Sequence, residues 1–503
     1  MSSQPIIIVG GGIGGLSAAL ALAGQGERVL LLEREGAIGG KMRVQGPGID
    51  AGPTVFTMRW VFEEIFAAAG ACLDQRLRLL PAEILARHAW PDGSRFDLFA
   101  DSARAADAVG AFAGAAERHG FLAFCEAARR SYQALEGPFL RSDRPTPFSL
   151  TRRMGSLSGL LAIRPFATLW SALGAYFRDP RLRQLFGRYA TYCGSSPFAA
   201  PATLMLIAHV EQQGVWLVQG GMVRLAQALA ALAIELGVTI RTGAPVAEVL
   251  TDAGGACGVR LDDGERLAAA AVIVNADAAA VAAGLLGPRL RGAGAVPAVA
   301  QRSLSALTWT GSARVDGFPL LRHSVFFSSD YQAEFAALAA GRLPPEPTIY
   351  VCAQDRPAHD ETAPEGGERL LILCNAPALD EGPSDKEIDA CESRSWRQLQ
   401  RCGLDLTPTG WERTTPAAFA RLFPGSHGAL YGAAVHGPMA SFRRPGSRTP
   451  IPRLYLAGGS THPGAGVPMA ALSGRLAASA LMADRASTRR SPRVAMSGGT
   501  SMR

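Results

Sequence analysis

From Pro5 to Glu33 the chain runs as an apolar strand (Ile6-Ile7-Ile8-Val9), a glycine turn (Gly10-Gly11-Gly12-Ile13-Gly14-Gly15), a helix of small residues from Leu16 to Ala23, and a second apolar strand over Val29–Leu32. This is the G-x-G-x-x-G fingerprint in the setting that gives it meaning, with a strand before it and a helix after it. Gly10 permits the tight turn, Gly12 lets backbone approach a pyrophosphate, and Gly15 lets helix and strand pack closely. Free N–H groups at the helix start meet the phosphate charge. Glu33 falls where a carboxylate accepts from a ribose hydroxyl. The plain alternative is a glycine turn beside a stray surface acid, or a βαβ unit that has lost its cofactor. Both strands, the helix and the acid in register favour a dinucleotide.

The residues just downstream decide which dinucleotide. Gly39-Gly40-Lys41 comes soon after the second strand, and Asp50-Ala51-Gly52-Pro53-Thr54 after that. A Gly-Gly-cation turn suits a second approach to the pyrophosphate, with Lys41 as counter-charge; read alone it is also an ordinary surface turn. No second strand–G-x-G-x-x-G–helix unit appears later. One dinucleotide site held by pieces spread along the chain suits FAD better than NAD.

Composition narrows the chemistry. At 503 residues there is material for a large core and at least two subdomains. The net charge of +7 is carried almost wholly by arginine, Lys41 and Lys386 being the only lysines, so Schiff-base catalysis is a thin option. The eight cysteines form no C-x-x-C pair and no clustered His/Cys spacing occurs, so no metal site is expected. The N-terminus enters a strand within five residues without a basic–apolar–small signal, which points to a cytoplasmic protein with reduced thiols.

Further along, Met58, Val61, Phe62, Ile65 and Ala69 fall on one helical face with Arg59, Glu63 and Glu64 away from it. That face reads first as a core-facing amphipathic helix; the alternative is that its start, directly after the Gly-Pro-Thr turn, lines the substrate side of a flavin. His88 sits in a turn between two short strands and reads as structural. Ala103 to Leu135 is helical in pattern.

Residues 141 to 188 hold nine arginines against Asp143 and Asp179, around a nearly apolar run from Leu157 to Phe177. Arg164-Pro165 interrupts that run and excludes a membrane span, since a mid-span Arg costs a few kcal/mol and Pro breaks the helix. Apolar and aromatic residues flanked by cations instead suit a helix pair lying in the headgroup layer of an anionic membrane. A buried helical pair with surface arginines is the alternative. Nucleic acid is not expected, because no binding motif accompanies the charge.

Gln219-Gly220-Gly221-Met222 opens a helix from Val223 to Leu236, which leads through Gly237 into the strand Val238-Thr239-Ile240. A hairpin of Val246–Leu250 with Val259–Leu261 comes next, then a returning strand, Ala271–Val274, ending at Asn275-Ala276-Asp277. Such a sequence completes a dinucleotide-binding sheet and lays Val246 against an adenine. Strands at Ser303–Thr310, Ser324–Ser328, Thr348–Cys352 and Leu370–Asn375 predict a separate antiparallel sheet. His323 and Asp330 flank one of these strands and read as solvated loop polarity rather than site residues. Near the end, Leu454-Tyr455-Leu456 runs into Ala457-Gly458-Gly459-Ser460-Thr461-His462-Pro463, and a helix begins near Pro468. A helix start aimed at a flavin stabilises negative charge on the reduced ring. Residues 484–503 read as a disordered basic tail.

Three stretches together resemble the bacterial phytoene desaturase family of FAD-dependent carotenoid desaturases and isomerases. They are the N-terminal fingerprint with G-G-K and D-A-G-P-T; S-V-F-F-S-S-D-Y-Q-A-E-F with T-I-Y-V-C-A; and L-Y-L-A-G-G-S-T-H-P-G-A-G-V-P-M. Within that family T-V-F-T-M-R-W-V-F, H-A-W-P-D-G-S and G-V-P-M-A-A-L-S-G look most like the 1-hydroxycarotenoid 3,4-desaturases, also called methoxyneurosporene dehydrogenases. Ser460 departs from the glycine expected there and is expected to crowd the turn.

The resemblance implies an α/β fold, α+β overall. A Rossmann-like FAD domain of the glutathione-reductase/amine-oxidase type would comprise residues 1–100, 205–290 and 415–483. A helical, membrane-facing lid would cover residues 101–204, and an antiparallel substrate sheet residues 291–414. It implies non-covalent FAD held by Gly10, Gly12, Gly15, Glu33, Gly40 and Lys41, with Val246 on the adenine, Gly458 on the pyrophosphate–ribityl portion, and Pro468 and Met469 at the ring. It further implies a carotenoid taken from lipid and peripheral binding, through residues 141–188, to the inner or photosynthetic membrane, in pigment synthesis. His462 is the candidate catalytic base, with a structural role in its His-Pro turn the alternative. A desaturase for non-hydroxylated carotenoids, an isomerase and a non-catalytic lipid carrier on the same fold remain open.

Overall fold

The structure is a computed structural model that describes residues 4–46, 48–154, 166–294, 297–357 and 360–490. At its centre lies a five-stranded parallel sheet in the order Leu454–Leu456, Ala271–Val274, Ile6–Val9, Val29–Leu32, Thr239–Arg241. Every side chain of Ile6–Val9 and Ala271–Val274 is buried, as expected of central parallel strands covered on both faces. The order brings strand ends from residues 9, 32, 274 and 456 to one edge, where ligands of open parallel sheets bind.

Helix Ile13–Ala23 packs against the long C-terminal helix Val467–Arg490. The fit depends on small residues: a Cβ on Gly474 would stand 2.0 Å from the Gly14 carbonyl oxygen. Gly14 and Gly474 therefore hold the two helices at backbone contact, and the second helix start is brought beside the first. That helix continues to Arg490, with Asp484 accepting from Arg448 and from Tyr455, so residues 484–490 are helical rather than part of an unstructured tail. Residues 491–503 lie outside the described residues.

The hairpin Val246–Asp252 with Gly255–Leu261 forms as expected and gains a third strand, Arg266–Ala268. A second, seven-stranded sheet runs Asp405–Thr414, Ser305–Asp316, Glu368–Ala376, Ile349–Ala353, His323–Phe326, Ile84–Ala89, Arg95–Phe99. It is antiparallel except where His323–Phe326 meets Ile84–Ala89 in parallel. Residues 84–99, assigned from sequence to the FAD domain, thus belong by pairing to the substrate sheet. Local pattern shows a hairpin there; it does not show which sheet the hairpin joins.

The helical region, built on Ser102–Ala113 and Ala115–Leu135, corrects another expectation. Leu169, Ala172, Leu173 and Phe177 pack inside it against Phe121, Phe124 and Phe186. The described half of the apolar run is therefore core, not a headgroup-layer helix. Several of the nine arginines also turn to internal partners: Arg141 to Glu64 and Glu136, Arg181 to Asp179, and Arg183 over the Trp170 ring. What remains outward is Phe148 at 79% and Phe166 at 88% exposure, with Arg144, Arg152 and Arg178. Arg164-Pro165 lies outside the described residues. Among those described, no helix is long and apolar enough to cross a membrane, and no cluster of His, Cys, Asp or Glu fits a metal ion.

Candidate functional site

The fingerprint turn folds as its glycines require. Gly10 has a φ of +103°, and a Cβ there would meet the Asn275 carbonyl oxygen at 2.5 Å. A Cβ on Gly15 would lie 2.1 Å from the Gly10 carbonyl. Gly39 bridges to Gly12 in parallel fashion, and a Cβ on Gly40 would stand 3.1 Å from the Gly12 Cα. Gly458, φ +111°, reaches the same place: its N–H donates to Ser473 Oγ at 2.8 Å, and the Asn275 amide lies between it and Gly10, donating to the Gly10 carbonyl at 3.1 Å. Gly10, Gly12, Gly15, Gly40 and Gly458 therefore line one bare-backbone cradle.

Glu33 is buried beside it. Its carboxylate accepts from the N–H of Gly11 at 2.7 Å and of Glu35 at 2.9 Å, while its carbonyl accepts from Ala244. Each oxygen keeps a lone pair for a hydroxyl. The bond from Ala244 brings Val246, two residues on, alongside Glu33, where it is half-buried. Lys41 departs from expectation. Its ammonium donates to the Leu430 carbonyl and sits 5.1 Å from the Phe423 ring centre, tying the first turn to the C-terminal segment. Solvent reaches it, yet surrounding protein lowers its pKa by desolvation, with Asp277 opposing and Arg444 adding to the effect. Two of its three donors remain for a phosphate.

The two glycine turns flagged in the sequence also meet. Asp50 accepts from Met222 N–H at 2.8 Å, and Gln354 clasps the Asp50 backbone through both its amide groups, at 2.9 and 2.8 Å. Burial raises the Asp50 pKa, against the hydrogen bond from Met222. Ser460 does not crowd its turn. Its Oγ accepts from Ala278 N–H at 2.9 Å, and Gly432 yields the room, since a Cβ at Gly432 would meet that of Ser460 at 2.7 Å.

Beside the cradle lies a cavity of about 470 Å³. Gly464 to Met469, Pro468 and Met469 among them, form its floor. Thr57 and Met58, at the start of helix Arg59–Ala68, line it, in keeping with the alternative reading of that helix start. Leu371 and Leu373 come from the large sheet, and Phe139, Leu150 and Val210 from the helical region.

His462 is not on this wall. It is 2% exposed, bonded through Nε2 to the Phe139 carbonyl at 3.0 Å, with its ring 4.9 Å from that of Phe139. Burial pushes its pKa down to about 4. It anchors the helical region to the cofactor turn rather than facing the cavity as a base. His88 is buried among Trp90, Phe96 and Phe327, with its pKa driven down to about 3 by burial. His323 corrects the loop reading: it is buried, its Nδ1 is 2.7 Å from Tyr350 Oη, and Tyr350 in turn is 2.7 Å from Thr54 Oγ1. Asp330 caps helix Tyr331–Ala339 by accepting from Ala333 N–H.

Sequence reasoning missed Arg444. It is buried and donates to the carbonyls of Tyr431, Gly459 and Ala433, welding two loops to the cradle. No motif marks it. Asn275 and Gln354 were equally unmarked, although a polar residue ending a buried strand, as Asn275 does, is a signal in principle.

The backbone cradle and its acid suit a dinucleotide, and similarity agrees. Residues 13–482 match the family described as flavin containing amine oxidoreductase. The chain is 53% identical to hydroxyneurosporene desaturase of Rubrivivax gelatinosus, covering 100% of this chain and 98% of the relative. It is 46% identical to hydroxyneurosporene desaturase of Cereibacter sphaeroides, over 96% and 99% of the two chains. Among solved structures, an oxidoreductase from Methanosarcina mazei superimposes with a TM-score of 0.60 at 17% identity, over 95% of this chain and 100% of that one.

Proposed function

The chain belongs to the flavin containing amine oxidoreductase family, and from that premise we propose that it desaturates an acyclic 1-hydroxycarotenoid at C3–C4, within carotenoid synthesis. It is an FAD-dependent oxidoreductase acting on carotenoids. The observation that carries the specific reaction is the 53% identity, over the whole chain, to a hydroxyneurosporene desaturase, and the apolar cavity bordering Pro468 and Met469 suits such a substrate.

A bound flavin would supply the two-electron oxidant for the allylic C–H. The protein's part is position and field. Gly10, Gly12, Gly15, Glu33, Gly40 and Gly458 fix the ADP half and the linker, with Val246 against the adenine. Lys41 supplies charge near the pyrophosphate. Helix Val467–Arg490 begins at the cavity floor, so its dipole favours negative charge there. The apolar wall excludes water and holds the polyene extended. The neighbouring proton leaves from a cation conjugated with a polyene, so a weak base suffices, which agrees with a cavity that His462 does not enter.

A carotenoid leaving a bilayer gains and forfeits about 0.8 kcal/mol per CH₂, so the enzyme gains by meeting it at the membrane. Helix Pro147–Met154 supports such a route: it turns Leu150 into the cavity and Phe148 outward, beside exposed Arg144 and Arg152. This face would rest on the anionic surface of the inner or photosynthetic membrane.

The test is FAD-loaded protein with anionic vesicles carrying either 1-hydroxyneurosporene or lycopene. A red-shifted product from the hydroxylated substrate, with lycopene turned over far more slowly, is expected. Equal turnover of both, or geometric isomers alone, would overturn the assignment.

A further inference from the structure

Most of the cavity wall is apolar, which makes its charged cluster conspicuous. Glu211 is buried and accepts from the hydroxyls of Tyr189 at 2.6 Å and Tyr192 at 2.9 Å. Arg188 donates to Tyr192 Oη at 2.9 Å and lies 5.0 Å from that ring centre, so it faces Glu211 across the tyrosine hydroxyls rather than directly. Its Nε–H has no hydrogen-bond partner. Tyr331, 6% exposed and near enough to Arg188 for their charges to interact, also has an unpartnered hydroxyl. Arg188, Tyr192, Glu211 and Tyr331 all line the cavity.

A cation in an apolar wall is costly unless its N–H groups are used, and each buried unmade hydrogen bond adds a penalty. A hydrocarbon ligand cannot use them; an oxygen on the ligand can. Position agrees with this reading. Tyr350, which bonds to Thr54 of the cofactor turn, lines the same cavity as the cluster, so the cluster and that turn open onto one space. In a 1-hydroxycarotenoid the hydroxyl-bearing carbon is separated from the C3–C4 bond only by C2, so the group that reads the hydroxyl must share a space with that turn.

We propose that Arg188 and Tyr331 form the subsite for the substrate's tertiary hydroxyl, and that Glu211, through Tyr189 and Tyr192, positions the guanidinium. The subsite rests on the hydroxycarotenoid reading above. Glu211 also offsets the guanidinium's field where the substrate gains positive charge as hydride leaves. A site built around a substrate hydroxyl rejects the analogue lacking it more strongly than an apolar pocket rejects an extra group, because its own polar groups are then left unpaired.

The experiment compares wild type, Arg188→Leu, Arg188→Lys and Tyr331→Phe on 1-hydroxyneurosporene and neurosporene in the same vesicles, with FAD content as the check on folding. Arg188→Leu should lower kcat/KM for the hydroxylated substrate and raise it for neurosporene, which no longer leaves a guanidinium unpaired, so that the preference between the two falls by roughly 100-fold. Arg188→Lys should recover part of it, and Tyr331→Phe should lose about tenfold. A flavin-loaded Arg188→Leu that keeps the wild-type preference overturns the subsite. If that variant binds no FAD, a full preference in Tyr331→Phe does so instead. A wild type without preference would defeat the hydroxycarotenoid reading itself, and the subsite with it.

Discussion

The cofactor cradle and the substrate cavity share a border along Gly464 to Met469 but are built in opposite ways. Main chain lines the cradle, where Gly10, Gly15 and Gly40 are pressed against neighbouring backbone and Gly458 against the Asn275 side chain, so that side chains have no room. Side chains line the cavity, and they come from the first helix after the cofactor turns, the helical region, the large sheet and the C-terminal loop. A cradle of backbone tolerates almost no substitution. A wall of side chains can be refitted one residue at a time while the cofactor stays in place.

The sharpest way to break this contrast is Gly15→Val. With the Cβ position 2.1 Å from the Gly10 carbonyl, the turn cannot close, and the purified protein should carry no flavin absorbance. A yellow Gly15→Val variant would show that the cradle is not built on close backbone approach. On the other side of the border, Val210→Trp fills the cavity without touching the cradle. It should keep a full complement of FAD and lose roughly 100-fold in turnover through misplacement of the substrate.

That same contrast explains what was legible in the sequence. The cradle's glycines, Glu33 and the strands around them obey local rules of turn geometry and hydrophobic period, and the structure puts them where those rules expect. Residues 84–99 show as a hairpin for the same reason, while their membership of the large sheet is a long-range pairing with His323–Phe326 that no local pattern carries. The run around Leu169 looked like membrane surface because apolar residues beside arginines read alike whether they face lipid or Phe121 and Phe124. Arg188 was counted among surface cations; only the fold turns it into the cavity. Lys41 fell in the expected turn, yet its reach to Leu430 depends on a segment far along the chain.

A smaller effect concerns the cavity wall under changing pH. Buried Glu334 accepts from Thr348 at 2.6 Å and Ser328 at 2.8 Å, and Thr348 lines the cavity. Desolvation, opposed by those hydrogen bonds, raises the Glu334 pKa to about 7. The folded-state pKa lies above the unfolded one, so the native state binds the extra proton. Its contribution is therefore complete below the ordinary glutamate range and is lost as pH rises toward about 7. Thermal denaturation should show stability falling across that window by on the order of 3 kcal/mol, and Glu334→Gln should flatten the slope. An unchanged slope would mean that Glu334 does not titrate there.

The least effect is expected where the two regions are pinned together. His462→Asn removes the bond to the Phe139 carbonyl and should cost about 1 kcal/mol of stability while leaving FAD content and kcat nearly unchanged. A loss of several orders of magnitude in kcat with stability intact would restore His462 as the base.

The decisive experiment is anaerobic mixing of the oxidised, FAD-loaded protein with vesicles containing 1-hydroxyneurosporene, monitored at the flavin and polyene bands together. Flavin absorbance should bleach in step with the appearance of a carotenoid one double bond longer. A carotenoid that changes while the flavin stays oxidised, or a flavin that never responds, would contradict hydride transfer from substrate to flavin in this protein.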